Sequence, residues 1–337
     1  MTKIVMKDIA KELNVSVVAI SKALNDKEGI SDELKKKIKN KAAEMGYQNN
    51  NAKIYEANRP KMIGVIIPKT FISSDINSPS FYLDFFQKIS EGLQERGYFT
   101  ILYTLSMDSE KENILPRILQ ENMVEGMIFM AQAKKEYLQV IEKLDIPKIC
   151  LDFYINNIDI DCVITDNFLG AYELTSELIS NGHEEIGFIG TLGATSSIND
   201  RYLGYQKALL EKGCSVKNEY VIDDRNINNQ YIEFELPQKM PTAFVCNNDK
   251  VAYDLIKKLK SKGIRIPEDV SVVGFDDANY SRLSDPKITT VRVNKDEMVK
   301  AAIDNLTGKI ENKYEDVGNI SIKGTMIKRD SVMKRMR

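Results

Sequence analysis

Residues 6–24 read MKDIAKELNVSVVAISKAL. Apolar residues recur at helical spacing over 6–13, which predicts a short amphipathic helix. The next two residues break that pattern, and Ser16 is of a type that caps helix amino termini. A second helix is therefore predicted from Val17 to about Leu24, separated from the first by a tight turn.

A third helix is predicted after Ser31, another capping residue. Ile38, Ala42 and Met45 form its apolar stripe, and Gly46 is typical of a helix carboxyl end. Two short helices joined by a tight turn and braced by a third make a helix-turn-helix unit.

The second helix has an unusual outer face. Ile20 and Ala23 can serve the core, which leaves Val17 and Val18 pointing outward beside Lys22. In a DNA major groove, valine methyls can pack on thymine methyl groups, and lysine can donate to guanine or phosphate. The alternative is that Val18 is a core residue and the unit binds protein.

Four stretches of this head resemble a known family: Asp8-Ile9-Ala10-Lys11, Val15 to Asn25, Gly29-Ile30-Ser31 and Met45-Gly46-Tyr47. In register over some forty residues, they resemble the head of the LacI/GalR family of bacterial transcription regulators. The resemblance implies that Val17, Val18 and Lys22 read bases of a double-stranded DNA operator. It further implies backbone-contacting or capping groups at Ser16, Ser21, Asn25 and Ser31. Ala19 departs from the family's usual threonine at a phosphate-contacting position.

Residues 48–61 form a polar, asparagine-rich linker. In the family this region holds a hinge helix that forms on DNA and wedges a leucine into the minor groove. This chain lacks the usual proline after Tyr47, and the resemblance puts Tyr55 (or Ile54) at the wedge position. An unstructured tether is the alternative. The expected division is a DNA-binding head at 1–47, a hinge at 48–61 and an effector-binding and dimerisation body at 62–337.

The body alternates strand-like apolar runs with helical patterns of 10–15 residues. The strand-like runs are 62–68, 98–105, 126–131, 148–153, 161–165, 185–191, 242–247 and 270–275. Such alternation predicts an α/β fold with doubly wound parallel sheets covered on both faces. The resemblance continues here and implies a type I periplasmic-binding-protein-like body of two lobes. Lobe one is expected at about 62–160 plus 292–325, with a helix at 294–311, and lobe two at about 161–291.

Polar residues follow several predicted strands, where open α/β sheets bind ligands. These are Asp152, Asn248 and Asp276, while Arg201 is predicted to open a helix after a loop. Such groups suit the hydroxyls of a sugar, and Phe81, Tyr82 or Phe153 would cover its apolar face. The resemblance marks Asp152, Arg201, Asn248 and Asp276 as effector contacts. The alternative is that strand-end acids cap helices, and this is the reading we favour for Asp249.

Charge and composition narrow the function classes. Residues 1–61 hold 13 basic and 8 acidic residues, whereas the rest holds 34 and 41, so a basic head precedes an acidic body. No apolar run approaches the ~18 residues of a membrane span, and the first residues do not resemble a secretory signal. We therefore expect a cytoplasmic protein without membrane partners. Four scattered cysteines and one histidine predict neither a zinc site nor another cofactor.

These observations predict a DNA-binding transcriptional regulator, a repressor acting as a homodimer on a near-palindromic operator. A small-molecule effector, a carbohydrate, would control it from the cleft, with a protein co-effector as a further possibility. The alternative is a sugar-binding transport protein without a DNA-binding role. An enzyme is not expected, since the chain carries no nucleophile, phosphate-loop or paired-acid motif.

Overall fold

The helix-turn-helix prediction is confirmed in the head. A computed structural model describes residues 4–24, 29–45, 47, 61–72, 81–313 and 316–335. Its head contains α1 (Met6–Leu13), α2 (Val17–Leu24) and α3 (Asp32–Glu44). The predicted caps form, because Ser16 Oγ accepts from Ala19 N at 3.1 Å and Ser31 Oγ accepts from Leu34 N at 3.4 Å. A small buried core joins the helices: Ile9, Ala10, Ile20, Ala23, Ile38 and Ala42.

Several predictions for the head and hinge lie outside the described residues. They concern Asn25, Gly46, the wedge position at Tyr55 and the linker over 48–60. The chain divides into two compact units, Met1–Pro60 and Lys61–Arg337.

The second unit contains two parallel sheets, as the alternation predicts. The first has the order β11-β5-β4-β3-β1-β2, formed by β1 (Met62–Pro68), β2 (Phe99–Leu105), β3 (Gly126–Met130), β4 (Lys148–Leu151), β5 (Cys162–Thr165) and β11 (Asn319–Ile322). Its helices are α4 (Phe81–Gln94), α5 (Met107–Lys111), α6 (Arg117–Gln120), α7 (Lys135–Glu142) and α12 (Lys295–Ile310). The central strands β1, β3 and β4 are buried along almost their whole length because helices cover both faces, whereas the edge strands β2 and β11 are partly exposed. We call this part the first lobe.

The second sheet has the order β7-β6-β8-β9. Its strands are β6 (Ile186–Ile189), β7 (Val221–Ile222), β8 (Ala243–Cys246) and β9 (Ser271–Val273). Its helices are α8 (Asn167–Ser180), α9 (Ser196–Glu211), α10 (Asp249–Ser261) and α11 (Asn279–Leu283). We call this part the second lobe. Strands β10 (Thr290–Arg292) and β12 (Thr325–Ile327) pair with each other in an antiparallel ribbon.

The lobe boundary differs from the one expected at 160–161. Strand β5 pairs with β4 and β11, so it belongs to the first sheet rather than to lobe two. A short apolar run gives no sign of which sheet it will join, and the boundary moves to the start of α8. The chain returns near β10, and α12 packs on the first sheet at the position expected for the 294–311 helix. After β11 the chain crosses again, and Ser331 O accepts from Val272 N beside β9.

Candidate functional site

The outer face of α2 is apolar and exposed. Val17 is 44% exposed and Val18 is 65% exposed, while Ile20 and Ala23 are buried in the head core. The alternative that places Val18 in the core is therefore wrong. Ser21 and Lys22 are half-buried on the same helix.

A large cavity of the second unit opens at the carboxyl ends of both sheets. It has a volume of about 1100 Å³. Every effector-contact residue expected from the sequence lines it: Phe81, Tyr82, Asp152, Phe153, Arg201, Asn248 and Asp276. Since both lobes contribute, a ligand in this cavity would contact both.

Asp152, just after β4, is held by a tyrosine of the first lobe. Tyr82 OH donates to Asp152 Oδ2 at 2.9 Å. Burial, and then the charge of Asp276, raises the pKa of Asp152 to about 6. Burial and the Asp152 charge together raise the pKa of Tyr82 well above its usual value. Asp152 also has a positive φ of 70°, a backbone conformation that often marks functional positions.

Arg201 links the strand ends of the second lobe. Its Nε donates to Asn167 Oδ1 at 2.8 Å, and its Nη2 donates to Asp276 Oδ1 at 3.2 Å. Its Nη1 donates to the carbonyl of Asn247, and its guanidinium lies 3.8 Å from the Phe275 ring centre. These contacts fix a buried cation whose remaining N–H groups can serve a ligand.

The start of α9 corrects one prediction. Arg201 does not open this helix, because α9 begins at Ser196 with Thr195 as its cap. Thr195 Oγ1 accepts from Ile198 N at 3.2 Å. The serines that follow Thr195 resemble loop residues, which hides the first turn from the sequence pattern.

Asn248 and Asp249 have the reverse of the expected cap assignment. Asn248 Oδ1 caps α10 by accepting from Val251 N at 2.9 Å. Asp249, expected to be the capping residue, is fully buried, and its Oδ2 accepts from Ala278 N at 2.7 Å. Its own N–H donates to Phe275 O at 2.9 Å, so Asp249 contacts both sides of the turn that carries Asp276.

The aromatic residues only partly match the expected covering of a sugar ring. Phe153 lines the cavity but is 1% exposed, and its ring packs edge-on against Phe129. Its ring is therefore a core group rather than an open platform. Phe81 lies at the cavity with Lys295 Nζ 4.1 Å from its ring centre.

Sequence reasoning missed Tyr231, which also lines the cavity and is 46% exposed. Asn248 Nδ2 donates to its hydroxyl at 3.0 Å, and the Arg225 guanidinium lies 4.7 Å from its ring centre. An aromatic residue directly after the asparagine-rich segment 226–230 was the available signal.

Direct hydrogen bonds join the two lobes beside the cavity, and these too were missed. Ser196 N, a first-turn amide of α9, donates to Gln132 Oε1 at 2.7 Å. Tyr154 OH donates to Asp200 Oδ1 at 2.9 Å. A change in the angle between the lobes would alter these contacts.

Within the described part of the chain, no group of three or more His, Cys, Asp or Glu side chains is arranged to hold a metal ion. No described helix is long and apolar enough to span a bilayer.

Comparison with known proteins agrees with both halves of this description. Residues 5–50 match the model for bacterial regulatory proteins of the lacI family, and residues 175–332 match that for a periplasmic binding protein-like domain. The HTH-type transcriptional regulator RegA of Clostridium saccharobutylicum is 32% identical, and the alignment covers 97% of this chain and 99% of RegA. The chain belongs to the LacI family.

Other LacI-family relatives span nearly the whole chain. The repressor PurR of Pectobacterium atrosepticum is 29% identical, covering 97% of this chain and 96% of its own. The ribose operon repressor of Haemophilus influenzae is 25% identical, covering 97% and 98%. These relatives are transcriptional regulators, as is this LacI-family chain, which binds DNA through its helix-turn-helix head.

Solved LacI-family structures share the fold. The CelR–cellobiose complex superposes with a TM-score of 0.70 at 18% identity, covering 98% of this chain and all of CelR. The lac repressor dimer bound to operator and the anti-inducer ONPF gives 0.68 at 19% identity, covering 98% of this chain and all of that chain.

Proposed function

We propose that this LacI-family regulator is a repressor whose operator binding is controlled by a carbohydrate in the cavity between the lobes. The observation that carries the proposal is the meeting of Asp152 from one lobe with Arg201 and Asp276 from the other in one cavity. Carboxylates and a guanidinium provide the acceptors and paired donors that sugar hydroxyls require.

Operator reading is assigned to α2. Val17 and Val18 would contact thymine methyls, and Lys22 would donate to guanine or phosphate. Ser16, Ser21, Asn25 and Ser31 would support the backbone contacts, and Tyr55 the minor-groove wedge. A homodimer on a near-palindromic site is proposed, since two reading heads related by two-fold symmetry need matched half-sites. This role places the protein in the cytoplasm with the chromosome.

A carbohydrate is favoured over other small molecules by the mixture of groups in the cavity. The polar cluster at Asp152, Arg201 and Asp276 can hold hydroxyls, with Asn248 at the same rim. Phe81 and Tyr231 can face an apolar sugar ring. The names of two relatives, a ribose operon repressor and a regulator solved with cellobiose, support the same class.

Control follows from linkage. A ligand can change operator affinity only by as much as its own affinity differs between the two arrangements of the lobes. A coupling free energy of about 1–3 kcal/mol changes operator affinity by roughly fivefold to hundredfold. The hydrogen bonds Ser196–Gln132 and Tyr154–Asp200 join the lobes and would respond to that change. No turnover of the bound ligand is expected.

A thermal-shift screen of the intact protein against mono- and oligosaccharides tests the proposed site. A ligand present at about 100 times its dissociation constant raises the free energy of unfolding by roughly 2.7 kcal/mol, which corresponds to a rise of several degrees in Tm. The rise should vanish in Asp276→Ala and persist in Asp269→Ala, a control at an exposed ion pair with Arg265. A rise that survives Asp276→Ala, or no rise with any saccharide, would contradict the proposed site.

A further inference from the structure

Asp277 is buried beneath three arginines and directly follows Asp276, one of the residues proposed to contact the sugar. Arg292 Nε donates to its Oδ2 at 2.7 Å, Arg282 Nη2 donates to the same oxygen at 2.9 Å, and Arg329 Nη2 donates to Oδ1. Burial alone would raise the pKa of Asp277, but the hydrogen bonds from Arg329 and Arg292 bring it below its usual value. One carboxylate therefore faces three guanidinium groups, which leaves positive charge uncompensated.

Two of the three arginines line the cavity. Arg329 is largely buried, whereas the side chains of Arg282 and Arg292 are 52% and 55% exposed and line the cavity. Arg292 uses only its Nε–H to donate to Asp277. Among the described residues, no protein acceptor is found for its Nη1 and Nη2, so the four N–H groups on these two nitrogens remain for a ligand.

The other basic residues lining the cavity each have a carboxylate of their own. Their ion pairs are Lys88–Asp296, Arg201–Asp276, Arg225–Asp224, Lys250–Asp254 and Lys295–Asp84. Asp152 accepts from Tyr82 instead of from a cation. The cavity is thus polarised, because Arg282 and Arg292 share one carboxylate, Asp277, and leave positive charge in excess beside it.

The excess positive charge at these arginines is opposite in sign to the net charge of the surrounding body. Residues 62–337 hold 34 basic and 41 acidic residues, whereas at this part of the cavity two exposed arginines share a single carboxylate. A positively charged cleft concentrates anions from solution. A pair of guanidinium groups is well suited to hold a phosphate or carboxylate through charge-assisted hydrogen bonds.

We propose that the effector carries an oxyanion, a phosphate or a carboxylate, and that Arg282 and Arg292 bind it. This inference rests on the proposed function, since it assigns the anion to a sugar whose hydroxyls meet Asp152, Arg201 and Asp276. The volume of about 1100 Å³ is large enough for a sugar ring and an added charged group. Arg282 and Arg292 then set specificity, selecting acidic sugars over their neutral parents.

Isothermal titration of the intact protein tests this with matched ligands: a panel of hexoses, each with its 6-phosphate and its uronate. For the hexose that fits, the anionic member should bind about tenfold tighter or more, equivalent to ~1.4 kcal/mol. The advantage should shrink as salt is raised. Whichever of phosphate or uronate shows it identifies the oxyanion.

Variants locate the effect. Arg292→Gln and Arg282→Gln should reduce the anionic preference, measured as the ratio of the two affinities, to less than about threefold. Arg265→Gln, which removes an exposed arginine paired with Asp269, should leave the preference intact. If Arg292→Gln unfolds at a markedly lower temperature than wild type, Arg292→Lys is used in its place. Lysine keeps a positive charge beside Asp277 but lacks the planar pair of donors of a guanidinium. This variant should therefore also lose most of the anionic preference.

Two results would overturn the inference and can be told apart. Equal or tighter binding of the neutral hexose would refute the oxyanion while leaving the carbohydrate proposal intact. Absence of binding by every neutral and anionic sugar would refute both.

Discussion

Asp152 in the first lobe and Asp276 in the second interact electrostatically across the cavity. After burial itself, the charge of Asp276 is the largest cause that raises the pKa of Asp152 to about 6. The charge of Asp276 therefore disfavours ionisation of Asp152 on the opposite side of the cavity. A ligand that donates hydrogen bonds to both would relieve this repulsion and draw the lobes together.

The first prediction concerns Asp152→Asn. Because the pKa of Asp152 is higher in the folded state than in the unfolded one, its favourable contribution is complete below about pH 4 and is lost as pH rises through about 6. With a rise from 3.8 to about 6, the loss above pH 7 is on the order of 2–3 kcal/mol. Asparagine carries no charge and can still accept from Tyr82. The variant should therefore be more stable than wild type at pH 7.5 and gain little at pH 4.

Urea unfolding of both proteins across this pH range measures the effect, with Asp145→Asn as a control in an exposed turn. Asp152→Asn should also weaken sugar binding, since the negative charge of the hydrogen-bond acceptor is lost. A stability difference that does not depend on pH would show that Asp152 is not the titrating group.

The second prediction concerns the hydrogen bond between lobes from Tyr154 to Asp200. Tyr154→Phe leaves the half-buried Asp200 without its donor, which should cost about 1–2 kcal/mol. Because the bond joins the lobes, the variant should also change ligand affinity without touching the polar cluster at Arg201 and Asp276. Titration calorimetry and urea unfolding report the two effects. Tyr253→Phe on α10 serves as the control, and equal behaviour of the two variants would argue against a role for Tyr154.

The third prediction concerns base reading by α2. Val17→Ala and Val18→Ala should lose several-fold discrimination between operators with and without thymine at the contacted positions. The dependence of affinity on salt should stay the same, because no phosphate-contacting charge is removed. Val5→Ala, another exposed valine of the head, is the control. Equal losses on operator and random duplexes would contradict base reading.

The sequence predicted the helices of the head with almost no error because their signals are local. Ser16 and Ser31 mark the starts, and the apolar spacing marks the faces. Strand ends likewise placed Asp152 and Asp276 correctly at the cavity, since parallel strands bring their carboxyl ends to one edge.

The errors arose where a residue's role depends on distant parts of the chain. Strand β5 joins the first sheet through pairing that its own residues do not encode. Asp249 follows Asn248 directly, and either could cap α10; only the approach of Ala278 decides between them. Tyr154 lies 46 positions from Asp200, and Arg329 lies 52 positions from Asp277, so no local pattern could reveal these two contacts.

Control of operator binding by the ligand in the cavity can be measured on the intact protein. An operator selected from random duplexes would be titrated with intact protein by fluorescence anisotropy, with and without a saturating sugar identified by thermal shift. We predict that the ligand changes operator affinity at least about fivefold, and that Asp276→Ala abolishes the change. An operator affinity that is identical with and without the bound ligand would show that the cavity does not control DNA binding.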